Sequence, residues 1–211
     1  MTEKPEAYIS RHTSPASPIL NEIYRYTWLN TIYPRMASGH VQGKFLAMLA
    51  GISKARNILE IGTFTGYSAI AMAEALPPNG KLTTIEANEE LEPILHKFIL
   101  QSGQENKINL MIGQAHEILS QLINESFDFI FLDADKISYP MYFPILKNLL
   151  AKDGLLIADN VLWGNKVLDD NDKDPETVAI RRFNSLVAED ECFEQLILPL
   201  RDGLMIARKI C

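Results

Sequence analysis

The sequence predicts an α/β fold: an open, mostly parallel sheet with helices on both faces, finished at its C-terminal end by an antiparallel hairpin strand. Three observations predict it. From residue 57 to residue 160, short apolar runs ending in glycine or a charged residue alternate with stretches that carry apolar side chains at helical spacing. Strand–helix–strand units of that length require parallel strands joined by right-handed crossovers, with helices covering both sheet faces. Near the end of the chain, FEQLILPL and GLMIARKI straddle RDG, whose Asp202-Gly203 is a strong hairpin signal, so the last strand runs antiparallel.

In order, residues 1–18 are rich in Pro, Ser and charge and read as a mobile arm or a surface-hugging segment. ILNEIYRYTWLNTIY (19–33) is a helix with Ile19, Ile23 and Tyr26 among its apolar positions, broken by PRMASGH; HVQGKFLAMLAG (40–51) is a second helix. The strands are NILEIG (57–62), KLTTIE (81–86), INLMIG (108–113), FDFIFLDA (127–134) and LLIADN (155–160). Helices fall between them at 66–76, 89–103, 115–123 and 139–154, Pro93 being tolerable near a helix start and Gly154 serving as a stop. Residues 165–176 form a polar loop and 177–188 a helix. Nothing divides the chain, so residues 1–211 read as one domain: an N-terminal arm and helix over 1–35, and a core over 36–211.

A composition of 47% hydrophobic and 22% charged residues supports a sizeable core. A net charge of -7 argues against general nucleic-acid binding, which leaves a basic footprint. Two cysteines, Cys192 and Cys211, are too few for a disulfide framework and read as reduced thiols. With no signal-peptide core and no membrane-length apolar run, the expected location is cytoplasmic, away from membranes.

The chemistry is concentrated at strand ends. LEIGTFTGYS places Glu60, Gly62, Gly66 and Ser68 around the first strand-to-helix turn, where ligands bind in a doubly wound sheet. Glu86 ends the next strand, about 20 residues on, at the place of an acid that accepts ribose hydroxyls. The glycine spacing is G-x-x-x-G rather than G-x-G-x-x-G, and Glu60 would repel a pyrophosphate while attracting an ammonium and a sulfonium. That combination favours S-adenosylmethionine over a dinucleotide, against the plainer reading of two glycines closing a tight turn. Asp133 follows FIFL and Asp159 follows LLIA, each at a strand's carboxyl end, and Asn160 adds a neutral oxygen. Two carboxylates and an amide carbonyl suit a hard divalent cation, Mg²⁺ first, with Ca²⁺ or Mn²⁺ as alternatives. The plainer alternative is a turn or helix cap at Asp159-Asn160 and a satisfied strand-end acid at Asp133.

LEIGTFTGYS, TTIE, FIFLDADKISY, IADNVLWGNKV and LPLRDGLMIARKI together resemble the cation-dependent O-methyltransferases, the family of caffeoyl-CoA and catechol O-methyltransferases and their bacterial relatives, over about Met36 to Ile210. The resemblance implies a Rossmann-like class I methyltransferase sheet of seven strands, the last antiparallel, and a homodimer. It implies cofactor contacts at Met36, Ser38, Glu60, Gly62, Phe64, Ser68, Glu86, Ala115 and Asp133, with His116 beside the adenine. It implies metal ligands Asp133, Asp159 and Asn160, and Lys136 as general base or as an electrostatic stabiliser of the phenolate. Asp135 would lie in the acceptor-binding turn, and Trp163 could wall the pocket of a small phenolic substrate or pack in the core. The chain departs from the family where Arg35 and Met36 adjoin, shortening the segment that covers the acceptor, and at Gly164, where plant enzymes carry a substrate-touching asparagine.

The expected function is methyl transfer from S-adenosylmethionine to one hydroxyl of a catechol-like vicinal diphenol. Two alternatives compete: a S-adenosylmethionine-binding protein without catalysis, opposed by intact Asp133, Lys136, Asp159 and Asn160, and a nicotinamide-dependent dehydrogenase, opposed by Glu60 and the glycine spacing.

Overall fold

Proline, whose fixed φ suits a first helical turn, opens five helices: α1 (Pro5–His12), α2 (Pro18–Asn30), α5 (Glu92–Ser102), α7 (Tyr139–Leu149) and α8 (Pro175–Ala188). Together with α3 (Gly39–Ile52), α4 (Tyr67–Ala75) and α6 (Ala115–Gln121), they surround a seven-stranded sheet. Its strands are β1 (Asn57–Ile61), β2 (Lys81–Glu86), β3 (Ile108–Ile112), β4 (Phe127–Leu132), β5 (Leu150–Asp159), β6 (Phe193–Leu198) and β7 (Leu204–Lys209). The structure is a computed structural model, and it describes residues 4–211.

The strand order is β3-β2-β1-β4-β5-β7-β6. The first five strands are parallel, and β7 runs antiparallel between β5 and β6, as the terminal hairpin signal predicts. The order reverses between β1 and β4, so a crevice opens there at the carboxyl ends of the strands.

Both faces of the central strands are apolar because both are covered. On β4, Ile130 and Leu132 join Leu59 and Ile61 of β1 in a core packed by α6, α7 and α8. Phe129 and Phe131 point the other way, with Ile58 and Ile157, against α2, α3, α4 and α5. Gly43 of α3 lies so close to α4 that an added Cβ would sit 2.6 Å from the Tyr67 ring.

Three expectations are corrected, and of the two readings of the N-terminal arm the surface-hugging one holds. Helix α7 ends at Leu149 rather than Gly154, because Leu150 already pairs with Phe127 of β4 and takes Lys209 Nζ on its carbonyl at 2.8 Å. Gly154 therefore lies within β5. The arm is pinned rather than mobile over its described part: α1 packs beside α3, with Ser10 Oγ 3.2 Å from His40 Nδ1 and Ser14 O 2.7 Å from His40 Nε2. Its first three residues lie outside the described residues. The 165–176 loop begins inside a kinked 3₁₀ segment, Trp163–Leu168. Finally, Cys192 and Cys211 are not free thiols but form a disulfide. The hairpin register brings them together: Phe193 pairs with Lys209, and Ile210 donates its N–H to Cys192 O at 2.8 Å. That proximity is a tertiary fact with no signature in a spacing of 19 residues.

Among the described residues, no helix is long and apolar enough to cross a membrane.

Candidate active site

The carboxyl ends of β1, β2, β4 and β5 line one cavity of about 910 Å³, at the upper end of the range that holds a small ligand. Its walls include Met36, Ser38, Gly62, Phe64, Ser68, Glu86, Ala115, Asp133, Asp135, Lys136, Asp159, Asn160 and Trp163. Of the residues expected at the site, Glu60, Gly66 and His116 are missing from this wall.

The turn after β1 is built around close backbone approach. Gly62 has φ 98, and a Cβ there would lie 2.0 Å from the carbonyl oxygen of Asp133, so only glycine lets the β1 and β4 ends meet. Phe64 follows in the left-handed region at φ 51. Its N–H donates to Glu86 Oε2 at 2.6 Å, while Asn88 N–H donates to Oε1 at 2.8 Å. Two backbone donors thus hold the Glu86 carboxylate at the cavity, each oxygen keeping room for a ligand hydroxyl.

Glu60 stands behind this turn, wholly buried, where Thr84 Oγ1 donates to its Oε2 at 2.5 Å. Among the described residues, its Oε1 has no hydrogen-bond partner. Burial pushes the carboxyl up to about 8, against the hydroxyl of Thr84, which pulls it down. At neutral pH this carboxyl is therefore protonated, and it would become a charged partner only for a cationic group close enough to lower that pKa.

On the other side, the 3₁₀ turn Lys136–Ser138 follows β4, capped by Asp135 Oδ1, which accepts from Ser138 N–H at 3.0 Å. Asp135 Oδ2 accepts from Tyr142 at 3.4 Å. Asp135 thus lines the wall but also spends both oxygens on shaping it. Lys136 is buried and donates to Asp133 Oδ1 at 2.9 Å and to Tyr139 Oη at 2.8 Å. Burial alone would lower its ammonium pKa, but the Asp133 carboxylate raises it further, and the outcome lies above the ordinary lysine value. The depressed amine that a neutral general base needs is therefore absent while Asp133 faces Lys136 uncompensated.

Asp159 ends β5, buried, with Oδ2 accepting from Gln42 Nε2 at 2.6 Å and Oδ1 accepting from Asn160 N–H at 2.7 Å. Burial, then the nearby Asp133 charge, pushes its carboxyl up to about 6. The two acids are close enough to repel, and Asn160 lines the same cavity. Among the described residues, no three His, Cys, Asp or Glu side chains converge as a metal-binding group, so any cation site here has two carboxylates and leans on Asn160.

Asn160, Trp163 and Arg201 adopt positive φ (61, 47 and 51), like Phe64 at 51, and all four line the cavity. Such backbone costs of order 1–3 kcal/mol per residue and collects where a site demands it. Trp163 is both a wall of the cavity and packed on the α6–α8 core, so the two readings of it coincide. His116 is not part of the cavity wall; its side chain is 55% exposed and lies 3.9 Å from Glu117. His40 serves the N-terminal arm rather than the cavity. Sequence reading missed Gln42, Tyr139 and Arg201. Gln42 was legible as the one amide inside an apolar helix, and Arg201 was hidden by its neighbours Asp202-Gly203, which announce a hairpin.

Known proteins share this sequence and fold. A family model described as O-methyltransferase matches residues 10–210. A catechol O-methyltransferase of Niastella koreensis is 39% identical over 182 residues, covering 82% of each chain. A caffeoyl-CoA O-methyltransferase of Populus kitakamiensis is 36% identical over 180 residues, covering 81% of this chain and 77% of the relative. Among solved structures, the O-methyltransferase from Bacillus cereus in complex with SAH superposes with a TM-score of 0.90 at 34% identity, covering 96% of each chain. TomG from Streptomyces achromogenes, in complex with SAM, gives 0.92 at 29% identity over the whole of both chains.

Proposed function

The chain belongs to the S-adenosylmethionine-dependent O-methyltransferases, and on that premise we propose that it methylates one hydroxyl of a small vicinal diphenol with the help of a divalent cation. One observation carries the reading: Asp133, Asp159, Asn160 and Lys136 share a cavity wall with the glycine turn and Glu86. A cofactor site and an oxygen-rich cation site therefore face the same space. The catechol and caffeoyl-CoA O-methyltransferases among the relatives supply the class of acceptor.

The cofactor's ribose would lie against Glu86, its adenine against Ala115, and its charged amino-acid end toward the Gly62 turn, with Glu60 behind. Met36, Ser38, Phe64 and Ser68 complete that wall. Asp133, Asp159 and Asn160 would hold the cation, Mg²⁺ in the first instance. A phenol titrates near about 10, so at neutral pH its oxygen is mostly protonated and weakly nucleophilic. The bound cation would supply Lewis acidity that lowers this pKa.

Lys136 places a proton-bearing Nζ between Asp133 and Tyr139, where its charge steadies a phenolate. Acting as base instead would require Asp133 to be neutralised first. Trp163 offers a flat wall for the aromatic ring, and Asp135 with Tyr142 shapes the acceptor turn. Methyl transfer needs the acceptor oxygen in line with the S–CH₃ bond, so positioning carries much of the rate.

The test is a methyl-transfer screen over vicinal diphenols, with Mg²⁺ or with excess chelator. Turnover of diphenols that stops in chelator supports the reading. Asp133→Ala and Asp159→Ala should lose cation-dependent turnover and keep S-adenosylhomocysteine binding. Full activity of either variant in chelator would contradict the cation assignment.

A further inference from the structure

The loop of the terminal hairpin reaches across the cavity mouth to the N-terminal side of the site. Arg201 lies on that loop, and its guanidinium makes four contacts. Nη1 is 3.0 Å from Ala37 O, 2.7 Å from Ser38 O and 3.1 Å from Gln42 Oε1. Nη2 donates to Arg35 O at 2.7 Å. The segment 35–38 so gripped carries Met36 and Ser38 of the cavity wall. Gln42, fully buried on α3, passes the constraint inward. A guanidinium only donates, so the Gln42 oxygen must face it and the NH₂ must turn the other way, where it meets Asp159 Oδ2 at 2.6 Å. Asp159 Oδ1 is held by Asn160 N–H at 2.7 Å. Each carboxylate oxygen is thus oriented by one donor and keeps a second lone-pair direction free.

We propose that Arg201 and Gln42 form a positioning relay: Arg201 fixes segment 35–38 on the cofactor side of the cavity, and through Gln42 it fixes the rotamer of Asp159 on the cation side. Neither residue touches a reacting atom. The relay makes the two halves of the site cooperative, because ordering either half organises the groups that order the other. A lysine could not reproduce it, since one ammonium lacks the planar fork that spans three backbone carbonyls and an amide. The left-handed backbone of Arg201, φ 51, is what aims the side chain back across the mouth, and Asp202 Oδ1 steadies the same loop by accepting from Gly164 N–H at 2.6 Å. The Asp159 half of the inference rests on the proposed cation reading; the 35–38 half rests only on cofactor binding.

The test uses the whole protein and two readouts that do not depend on turnover. The first is the dissociation constant of S-adenosylhomocysteine by calorimetry without metal. The second is that of Mn²⁺ by electron paramagnetic resonance with S-adenosylhomocysteine present. Gln42→Leu should bind S-adenosylhomocysteine within about twofold of the parent but Mn²⁺ about tenfold more weakly, the loss of one charged hydrogen bond. Arg201→Met should weaken both by about tenfold, and Arg201→Lys should recover part of the cofactor loss. Circular dichroism reports whether each variant is folded, and Arg201→Lys carries the cofactor arm if Arg201→Met is not. Parental affinity of Arg201→Met for both ligands, or equal losses of both in Gln42→Leu, overturns the relay. A parent that binds S-adenosylhomocysteine but not Mn²⁺ overturns the cation reading instead, and the cofactor arm still judges Arg201.

Discussion

Replacing Glu60 by Gln should remove most of the protein's loss of stability between pH 6 and pH 8. Burial holds the Glu60 carboxyl at about 8, against an ordinary value of 4.5. Between those values the unfolded chain has released a proton that the folded protein keeps. The group's contribution is therefore fully present below about pH 4.5 and is lost as pH rises toward 8. At pH 7 the difference spans about 2.5 pH units, and at 1.36 kcal/mol per unit Glu60 costs the native state about 3 kcal/mol relative to low pH. Between pH 6 and pH 8 the same two pKa values make the cost rise by about 2 kcal/mol. Asp159 shifts in the same direction, but its window closes near 6, leaving the upper range to Glu60. Urea unfolding of the ligand-free protein at pH 6, 7 and 8 measures the slope for parent and Glu60→Gln. The variant should be flat within about 0.5 kcal/mol over that range, the noise expected of such extrapolations. If the variant declines as steeply as the parent, Glu60 is not the buried acid and the explanation fails.

Three other outcomes follow from the geometry. Gly62→Ala places a Cβ 2.0 Å from Asp133 O at φ 98, which should cost about 3 kcal/mol or more in thermal or urea unfolding and abolish S-adenosylhomocysteine binding by calorimetry. Lys136→Met should lower kcat about 100-fold, the lower end for removing one group that stabilises developing negative charge, while S-adenosylhomocysteine affinity changes little; an unchanged rate across the pH range removes Lys136 from the reaction. Cys192→Ser opens the bond to Cys211 and should destabilise by about 3 kcal/mol for a loop of this length, and a reducing agent should lower the unfolding midpoint of the parent but not of the variant.

Alternation of apolar and helical segments was enough to place the five parallel strands, β5 only in its second half, because a parallel sheet buried on both faces leaves a compositional mark on each strand. The acids at strand tips were legible for the same reason. Charge directly after an apolar run must lie where the strand leaves the core, so Glu86, Asp133 and Asp159 had to share one rim. Where tertiary contacts overrode a local signal, the sequence misled. Gly154 looked like a helix stop, yet pairing of Leu150 with Phe127 had already ended the helix. The cysteines looked free until the hairpin register set them side by side.

What the sequence determined by itself was the order of elements and the rim on which the chemistry sits, since both depend on periodicity and on where polarity interrupts it. What only the tertiary structure decided was which side chains work together. Glu60 retreats behind the glycine turn, His40 serves the arm, and Arg201 crosses 159 positions of sequence to meet Gln42, which crosses 117 more to reach Asp159. Hydrogen bonds between buried groups act over about 3 Å of space and carry no trace along the chain.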